Sequence, residues 1–599
     1  MTKKVDRSEP RVEYTKRQGN HHRRADTFLA TENRLGNLRM GLFFGALVAL
    51  WLVVVSHLFH AAWLLVPAGI FVMLGVRHER ARRRRQSAER RVAFYTRALA
   101  RLDGTWHGDG PTGSAFEDSQ HPYAGDLDLF GNASLFQYLC AALTRQGETT
   151  LATWLLAPAD RDQILARQGA VRELAPMLDF REDLAVLGAE VGHRLEGPTL
   201  ADWAAGREPA LTPASRMVAF GVAAVSAAAV IGWLLGLPGW VPMTALAGQM
   251  LFARFYRSTV RRVVADAERA TSSLTTVVAL LARLEREAFT DGYLRRLADA
   301  LGSDGLPPSQ AIARLERLAN WLDSRRNPFA IPLFGLVMGT TQLAMAVEAW
   351  RRRYGSAVPR WLTAVGDFEA LSSLAARAYD HPEEVFPTVR DGPPSLVAVG
   401  LGHPLLPSSM CVPNDVELNA DVPLWMVSGS NMSGKSTLLR AVGVNTVLAL
   451  AGATVKASAM SLTPLQVVAS IRISDSLQDG KSRFYAEILR LRQMMELAEK
   501  EPVLFLIDEL LHGTNSHDRR IGAEAIVRGL LDRHAIGLVT THDLALTTVD
   551  DGVPYAMRNV HLRDHLEAGE MVFDYRLHPG VVHHSNALAL MKQVGLEVD

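Results

Sequence analysis

Between Val422 and Thr437 an apolar run gives way to Gly429-Ser430-Asn431-Met432-Ser433-Gly434-Lys435-Ser436-Thr437, and few local sequences leave a chain so little freedom. The spacing is G-x-x-x-x-G-K-[ST], which calls for a buried strand, a tight glycine turn and a helix whose N-terminus opens onto that turn. Backbone N–H groups of such a turn wrap a phosphate chain, Lys435 reaches the outer phosphates, and the Ser436 hydroxyl is offered to Mg²⁺. The positive end of the helix dipole falls at the same place.

Farther along, Val503-Leu-Phe-Leu-Ile507 reads as a buried strand running into Asp508-Glu509. In P-loop NTPases an acid at the end of such a strand holds the magnesium, which assigns Asp508 to the metal together with Ser436. A second carboxylate within hydrogen-bond reach of the attacking water can polarise it, which assigns Glu509 as the base. Ile536-Gly-Leu-Val-Thr540 is another short strand, carrying Thr541-His542-Asp543 to the same sheet edge, where His542 would sense the γ-phosphate. Singly, these residues fit a core acid and a surface histidine; their order along the chain favours a nucleotide site with Lys435, Glu509 and His542 as its catalytic groups.

A chain of 599 residues is too long for one ordinary domain. Its net charge of +1 argues neither for nor against nucleic acid. Cys140 and Cys411 are the only cysteines, so neither a disulfide framework nor a Cys-based zinc site is expected, as suits a reducing compartment. The apolar share of 48% is slightly high for a soluble enzyme, and the excess is localised.

Residues 1–39 form a basic segment with ten Lys/Arg, expected on the cytosolic side and disordered at its start. Met40 to Val76 then runs for 37 residues without Asp, Glu, Lys or Arg. One bilayer crossing takes roughly 20 apolar residues, so 40–76 reads as a transmembrane hairpin turning near Ser56, His57 and His60. Arg77, Arg80 and Arg82 to Arg85 follow, and basic residues on both flanks place both ends in the cytoplasm. The double length argues against a cleaved signal peptide. Met217 to Ala253 repeats the arrangement: 37 uncharged residues, split by Leu237-Pro238-Gly239 and flanked by Arg207, Arg216, Arg254, Arg257, Arg261 and Arg262. Asn327 to Val347 is a third uncharged run of 21 residues. A fifth crossing would separate the nucleotide site from both Arg-rich flanks, and Pro328, Pro332 and Thr340-Thr341-Gln342 weaken the run, so a buried helix or packing surface is expected there.

Between the hairpins, residues 86–215 carry His121 to Gly131 and then apolar residues at helical spacing (Leu139, Leu143, Leu151, Trp154, Leu155), the pattern of a helical core. Residues 257–389 are expected to form a helical core/lever region, of which 257–326 reads as amphipathic helices with Val263, Val264, Leu274, Val278, Leu281, Leu284 and Leu294 on apolar faces. Basic residues there, such as Arg295 and Arg296, read as a solvated face rather than a nucleic-acid surface.

Four stretches of 390–599 resemble the MutS family of ATPases: Gly429 to Thr437, Asp508 to Asn515, Thr540-Thr541-His542, and Asp475-Ser-Leu-Gln-Asp479-Gly480-Lys-Ser482-Arg-Phe484, similar to the family's signature loop. The resemblance implies ATP and Mg²⁺ as cofactors and a homodimer as the catalytic unit, with Ser482 reaching the nucleotide of the other subunit. Gly402-His403-Pro404 and Val412-Pro413-Asn414-Asp415 resemble the strands that hold the adenine, with Asn414 as base contact and His403 or Tyr575 stacking in place of the aromatic that Cys411 replaces. More loosely, Leu127 to Leu174 resembles the family's helical core, including Trp154 to Pro158 and Arg167 to Val171.

The departures are at the other end and beside the acids. No counterpart of the mismatch-reading N-terminal domain with its Phe-x-Glu wedge is present, little room is left between Phe252 and Phe386 for a DNA clamp, and Leu511-His512 replaces the usual Gly-Arg. The expected fold is an α/β P-loop NTPase domain of ABC/MutS type, C-terminal to an all-α core/lever region, with two transmembrane hairpins. The expected protein is a multi-pass protein of the bacterial inner membrane with its ATPase in the cytoplasm, coupled to DNA. A nucleotide-gated membrane scaffold without DNA binding is the alternative. An ABC-type transporter fits less well, because only four crossings are expected and Asp475 to Phe484 lacks the L-S-G-G-Q form.

Overall fold

The computed structural model describes residues 8–55, 60–189, 197–206, 213–270, 274–302, 305–324, 331–430, 432–472, 483–511, 515–542, 556–567 and 570–581. Helices dominate up to residue 380: α1 (Ser8–Val54), α2 (Leu65–Asp103), α3 (Leu135–Leu139), α4 (Arg145–Leu156), α5 (Arg161–Leu174), α6 (Leu178–Ala189), α7 (Gly197–Ala205), α8 (Pro213–Leu234), α9 (Trp240–Ala270), α10 (Leu274–Leu284), α11 (Gly292–Ala300), α12 (Pro308–Ser324), α13 (Ile331–Leu336), α14 (Gly339–Tyr354) and α15 (Val358–Asp380). Strands then alternate with three long helices: β1 (Thr388–Val389), β2 (Leu396–Leu401), β3 (Asn414–Leu418), β4 (Leu424–Ser428), α16 (Lys435–Ala451), β5 (Ala459–Leu462), β6 (Gln466–Ser470), α17 (Arg483–Ala498), β7 (Val503–Asp508), α18 (Ser516–Leu531), β8 (Ile536–Thr541), β9 (Met557–Glu567) and β10 (Glu570–Pro579).

The start of the basic segment, residues 1–7, where disorder was expected, lies outside the described residues. From Ser8 onward the segment is the first half of α1, laid antiparallel along α2. Tyr14, His21 and Ala25 are buried there, and Arg17 donates to Glu13, Asp179 and Tyr95. Composition alone shows a polar run; the partners that order it come from α2 and α6, far away in sequence. Beyond Arg39 the two helices continue into the uncharged run with Phe43, Phe44, Leu47, Trp51, Trp63, Leu65 and Val72 exposed. The second uncharged run forms α8 and α9, joined at Leu235–Gly239, again with large apolar side chains outward. Among the described residues, three helices are long and apolar enough to cross a membrane: those spanning Glu9–Val54, Ala62–Asp103 and Ala214–Leu234. Helix α9 is not among them, since Arg254 interrupts its apolar part. The third uncharged run breaks at Met338 (φ 52°) into α13 and α14, and α14 buries Thr341, Ala344, Met345 and Val347 against its neighbours. The turn expected at Ser56 and His57 lies outside the described residues, while His60 caps the short helical turn that begins at Ala61.

Six strands form one sheet in the order β10-β9-β4-β8-β7-β6, parallel from β9 to β6, with β10 antiparallel at the edge. A parallel sheet needs both faces covered, and the strands alternate accordingly. Trp425, Val427, Leu504, Leu506, Ile536 and Leu538 face α16 and the helical region, while Leu424, Met426, Val503, Phe505, Ile507 and Val539 face α17 and α18. Four strands form a second sheet, β1-β5-β2-β3. Strand β1 pairs with β5, so the expected boundary at 389/390, just after Val389, separates β1 from the rest of this sheet. One apolar core runs from Trp106 through α4, α5, α10, α12 and α15 to α16, β2, β7 and β8.

Candidate functional site

Strand β4 lies between β8 and β9, all five of its residues buried, and ends at Ser428. Register places Val427 opposite Thr540 and Thr540 opposite Asp508. The ends of β4, β7 and β8 therefore share one row at the carboxyl edge of the sheet, where open α/β sheets bind ligands. The glycine turn follows. Gly429 (φ 154°) could not carry a Cβ, which would sit 2.8 Å from Ser433 Oγ and 3.1 Å from the Leu562 carbonyl oxygen. Gly434 (φ 98°) opens α16, and a Cβ there would lie 3.0 Å from Tyr575 Cδ1.

Inside the turn, the buried Lys435 ammonium donates to the carbonyl oxygens of Gly429 and Ser430, each at 2.9 Å. Burial lowers its pKa, against the attraction of Glu509, Asp508 and Asp564. The Ser436 hydroxyl donates to one Asp508 carboxylate oxygen and the Thr540 hydroxyl to the other. Thr540 Oγ1 also accepts the Glu509 N–H at 3.1 Å. Glu509 takes a left-handed backbone (φ 53°), unusual for a non-glycine residue and typical of functional turns. His542 Nδ1 stands 3.6 Å from Glu509 Oε1. Lys435, Ser436, Asp508, Glu509 and His542 are thus brought together, as expected from their order in the chain. Met432 (φ 74°) is exposed at the tip of the turn. Asn431 and Ser482 lie outside the described residues, as do 473–482 and 512–514.

The residues present fit a magnesium nucleotide. Ser430 Oγ and Ser433 Oγ are buried with no hydrogen-bond partner among the described residues, so two hydroxyl donors stand beside the Lys435 ammonium, suited to phosphate oxygens. No group of three or more His, Cys, Asp and Glu with metal-ligand geometry occurs among the described residues. A magnesium ion needs none, because it is commonly held by one or two carboxylates, a hydroxyl, phosphates and water.

Next to the turn, a cleft of about 250 Å³ has Gly434, Thr437 and Leu438 on one wall and His403, Cys411 and Tyr575 on the other. This is the size and apolar character of a base pocket. The His403 ring is driven down to a pKa of about 4 by burial, with Arg440, Lys456 and Arg377 adding to the effect, so it is neutral at physiological pH. Its Nδ1 accepts the Leu405 N–H at 3.2 Å, leaving the Nε2 position to carry the proton. Asn414 lines the cleft, yet its amide is engaged with β10: Nδ2 donates to the Tyr575 carbonyl at 2.9 Å and Oδ1 accepts the Leu577 N–H at 2.8 Å. It therefore anchors Tyr575, rather than standing free as the base contact the sequence suggested. Nothing in the sequence near Asn414 signals a partner so far along the chain.

Glu487 and Arg519 are not among the residues expected at the site, and Thr540 is expected there only as part of Thr540-Thr541-His542, without a role. Thr540 is one of two threonines that end the otherwise apolar β8. Glu487 and Arg519 reach the turn after Glu509 only through the fold.

Residues 425–598 match the model of MutS domain V. The chain is 29% identical over 266 residues to the DNA mismatch repair protein MutS of Staphylococcus saprophyticus, a match covering 43% of this chain and 29% of that one. It is also 29% identical over 263 residues to the protein of the same name from Staphylococcus haemolyticus and 28% identical over 263 residues to that from Staphylococcus aureus. The matched part spans 29% and 30% of those two proteins, less than a third of each relative.

Proposed function

We propose, for a chain whose C-terminal region belongs to the MutS family, that it binds ATP with Mg²⁺ in the Gly429–Thr437 turn and hydrolyses it as a homodimer anchored in a membrane. The observation that carries the reading is the row at the sheet edge, where Ser436 and Thr540 hold both oxygens of Asp508 and Thr540 also holds the Glu509 N–H. Lys435 and the Ser430 and Ser433 hydroxyls orient the phosphates, and Tyr575 and neutral His403 flank the base. Magnesium, when bound at Ser436 and Asp508, neutralises charge on the phosphate oxygens. Glu509 takes the proton of the attacking water, and His542 beside it steadies the carboxylate and the outgoing phosphate.

Membrane anchoring is supported by the outward-facing apolar side chains of the two hairpins, far more than a soluble surface exposes as one patch. Tryptophans flank both turns, Trp51 and Trp63 on the first and Trp233 and Trp240 on the second, suited to a bilayer interface. Helix α9 packs along α8, and a return of the chain beside α8 would put the Arg-rich flanks of both hairpins on one side, with the ATPase in the cytoplasm. DNA as partner follows from the relatives' name. The hairpins favour a second reading, a nucleotide-gated membrane scaffold indifferent to DNA.

The test takes protein that alkaline carbonate leaves in the membrane, purified in detergent. ATP hydrolysis is measured with and without duplex and branched DNA, with Lys435→Ala as the blank. Glu509→Gln is expected to keep ATP binding, tighten the dimer and slow turnover by about 10²- to 10⁴-fold. A Glu509→Gln protein that neither loses activity nor dimerises more tightly removes Glu509 from its role. Stimulation by DNA supports the DNA-coupled reading, and an unchanged rate selects the scaffold.

A further inference from the structure

The two residues after Glu509 raise a question of how the turn is held. Leu511 is, like Glu509, a non-glycine residue in the left-handed region (φ 56°), so the turn contains two backbone positions that disfavour it. Such a conformation persists only when its surroundings over-determine it. Three side chains from three different elements do this. Thr540 on β8 accepts the Glu509 N–H. Glu487 on α17, itself buried, accepts the Leu511 N–H at 2.6 Å. Arg519 on α18 donates through Nε to the Leu511 carbonyl at 3.1 Å.

We infer that Glu487 is a positioning residue for hydrolysis: its buried carboxylate fixes the Leu511 amide and, through the intervening residue, the direction in which the Glu509 carboxylate points. This rests on the ATPase reading above and deepens it. A carboxylate is suited to the task because a charged acceptor makes a shorter and stronger hydrogen bond to a backbone N–H than a neutral one. Glu487 holds the Leu511 amide, two residues past Glu509, so the expected effect is on the geometry of the water-activating group rather than on nucleotide affinity. Misplacing a catalytic group by about 1 Å is enough to cost on the order of 10²-fold in rate.

The experiment compares full-length wild type, Glu487→Ala, Glu487→Gln and Arg519→Ala in detergent. Glu487→Ala is expected to lower kcat by about 10- to 100-fold with KM changed less than about threefold. Glu487→Gln, which keeps an acceptor oxygen, is expected to recover much of the loss, and Arg519→Ala to reproduce the pattern from the carbonyl side. Hydrogen exchange at the Leu511 amide is read in parallel and is expected to accelerate in Glu487→Ala. A kcat within twofold of wild type in both Glu487→Ala and Arg519→Ala overturns the inference, as does a rise in KM at constant kcat. Leu511 exchange at the wild-type rate in Glu487→Ala overturns it too, and this readout stands even if wild type hydrolyses no ATP, an outcome that would sink the ATPase reading alone. Should Glu487→Ala fail to fold, Glu487→Gln and Arg519→Ala carry the same comparison.

Discussion

His403 shows how a single ring can report on its cleft. Its pKa falls from 6.5 to about 4 because burial disfavours the imidazolium and Arg440, Lys456 and Arg377 repel it. Below pH 6.5 an unfolded chain takes up a proton at this ring that the folded chain refuses, so the contribution to stability is complete above 6.5 and declines as pH falls toward 4. Allowing for the part of the ring that solvent reaches, the loss amounts to about 2 kcal/mol. Denaturant unfolding between those limits is expected to show a shallower pH slope in His403→Asn than in wild type, by about that amount; identical slopes would place the titration elsewhere. At the same scale, Asn414 demonstrates that a polar residue lining a pocket need not face the ligand, since its amide serves β10.

At the scale of elements, α15 joins the C-terminal α/β region to the paired helices α1 and α2. An acid at a helix C-terminus is unfavourable toward the helix dipole, yet Asp380 ends α15 fully buried. It is balanced by the Arg101 guanidinium of α2 at 2.7 Å and the Tyr14 hydroxyl of α1 at 2.7 Å. Burial alone would depress the Arg101 pKa, and Asp380 more than reverses this. One turn earlier, Arg377 pairs with Glu384 at 2.6 Å, and Glu384 accepts from Thr454, just past the end of α16. Helices α1 and α2 are thereby tied to the back of the helix that carries Lys435. Asp380→Ala leaves Arg101 buried without its counter-charge and is expected to destabilise the protein by about 3–5 kcal/mol. Tyr14→Phe removes one hydrogen bond and leaves Asp380 paired, so the expected cost is about 1 kcal/mol. Thermal unfolding of the two variants checks the ranking; equal shifts would show that Asp380 does not depend on Arg101.

At the scale of the whole molecule, the C-terminal α/β region does not have a core of its own on both faces. The α17–α18 face closes its own apolar cluster, while α16 and the opposite sheet face share one with α4, α5 and α15. Cutting at residue 390 would expose Leu439, Val442, Val444, Val447 and Leu448, buried side chains each contributing roughly 1.5–3 kcal/mol. A 390–599 fragment is therefore expected to aggregate or remain unfolded, whereas a chain keeping residues 86–599 retains the covering helices. A soluble fragment with a cooperative unfolding transition would contradict this account of the shared core.

Elements with local signals are legible in the chain before it folds. An apolar run before a glycine turn could only be a strand feeding a helix N-terminus, and acids ending a buried strand could only lie at a sheet edge, so Lys435, Ser436, Asp508, Glu509 and His542 were legible in advance. So were the two uncharged hairpins, because charge absence over such lengths needs no tertiary context to recognise. Features that depend on partners distant in the chain are settled by folding. The ordering of the basic segment by α2 and α6 was of this kind, as were the loss of Asn414 to β10 and the hold of Glu487 and Arg519 on the Leu511 turn. The common core that crosses the expected boundary at 390 belongs with them. Each is a hydrogen bond or an apolar contact between residues whose separation erases any periodic trace, and only a folded chain brings them within a few ångströms.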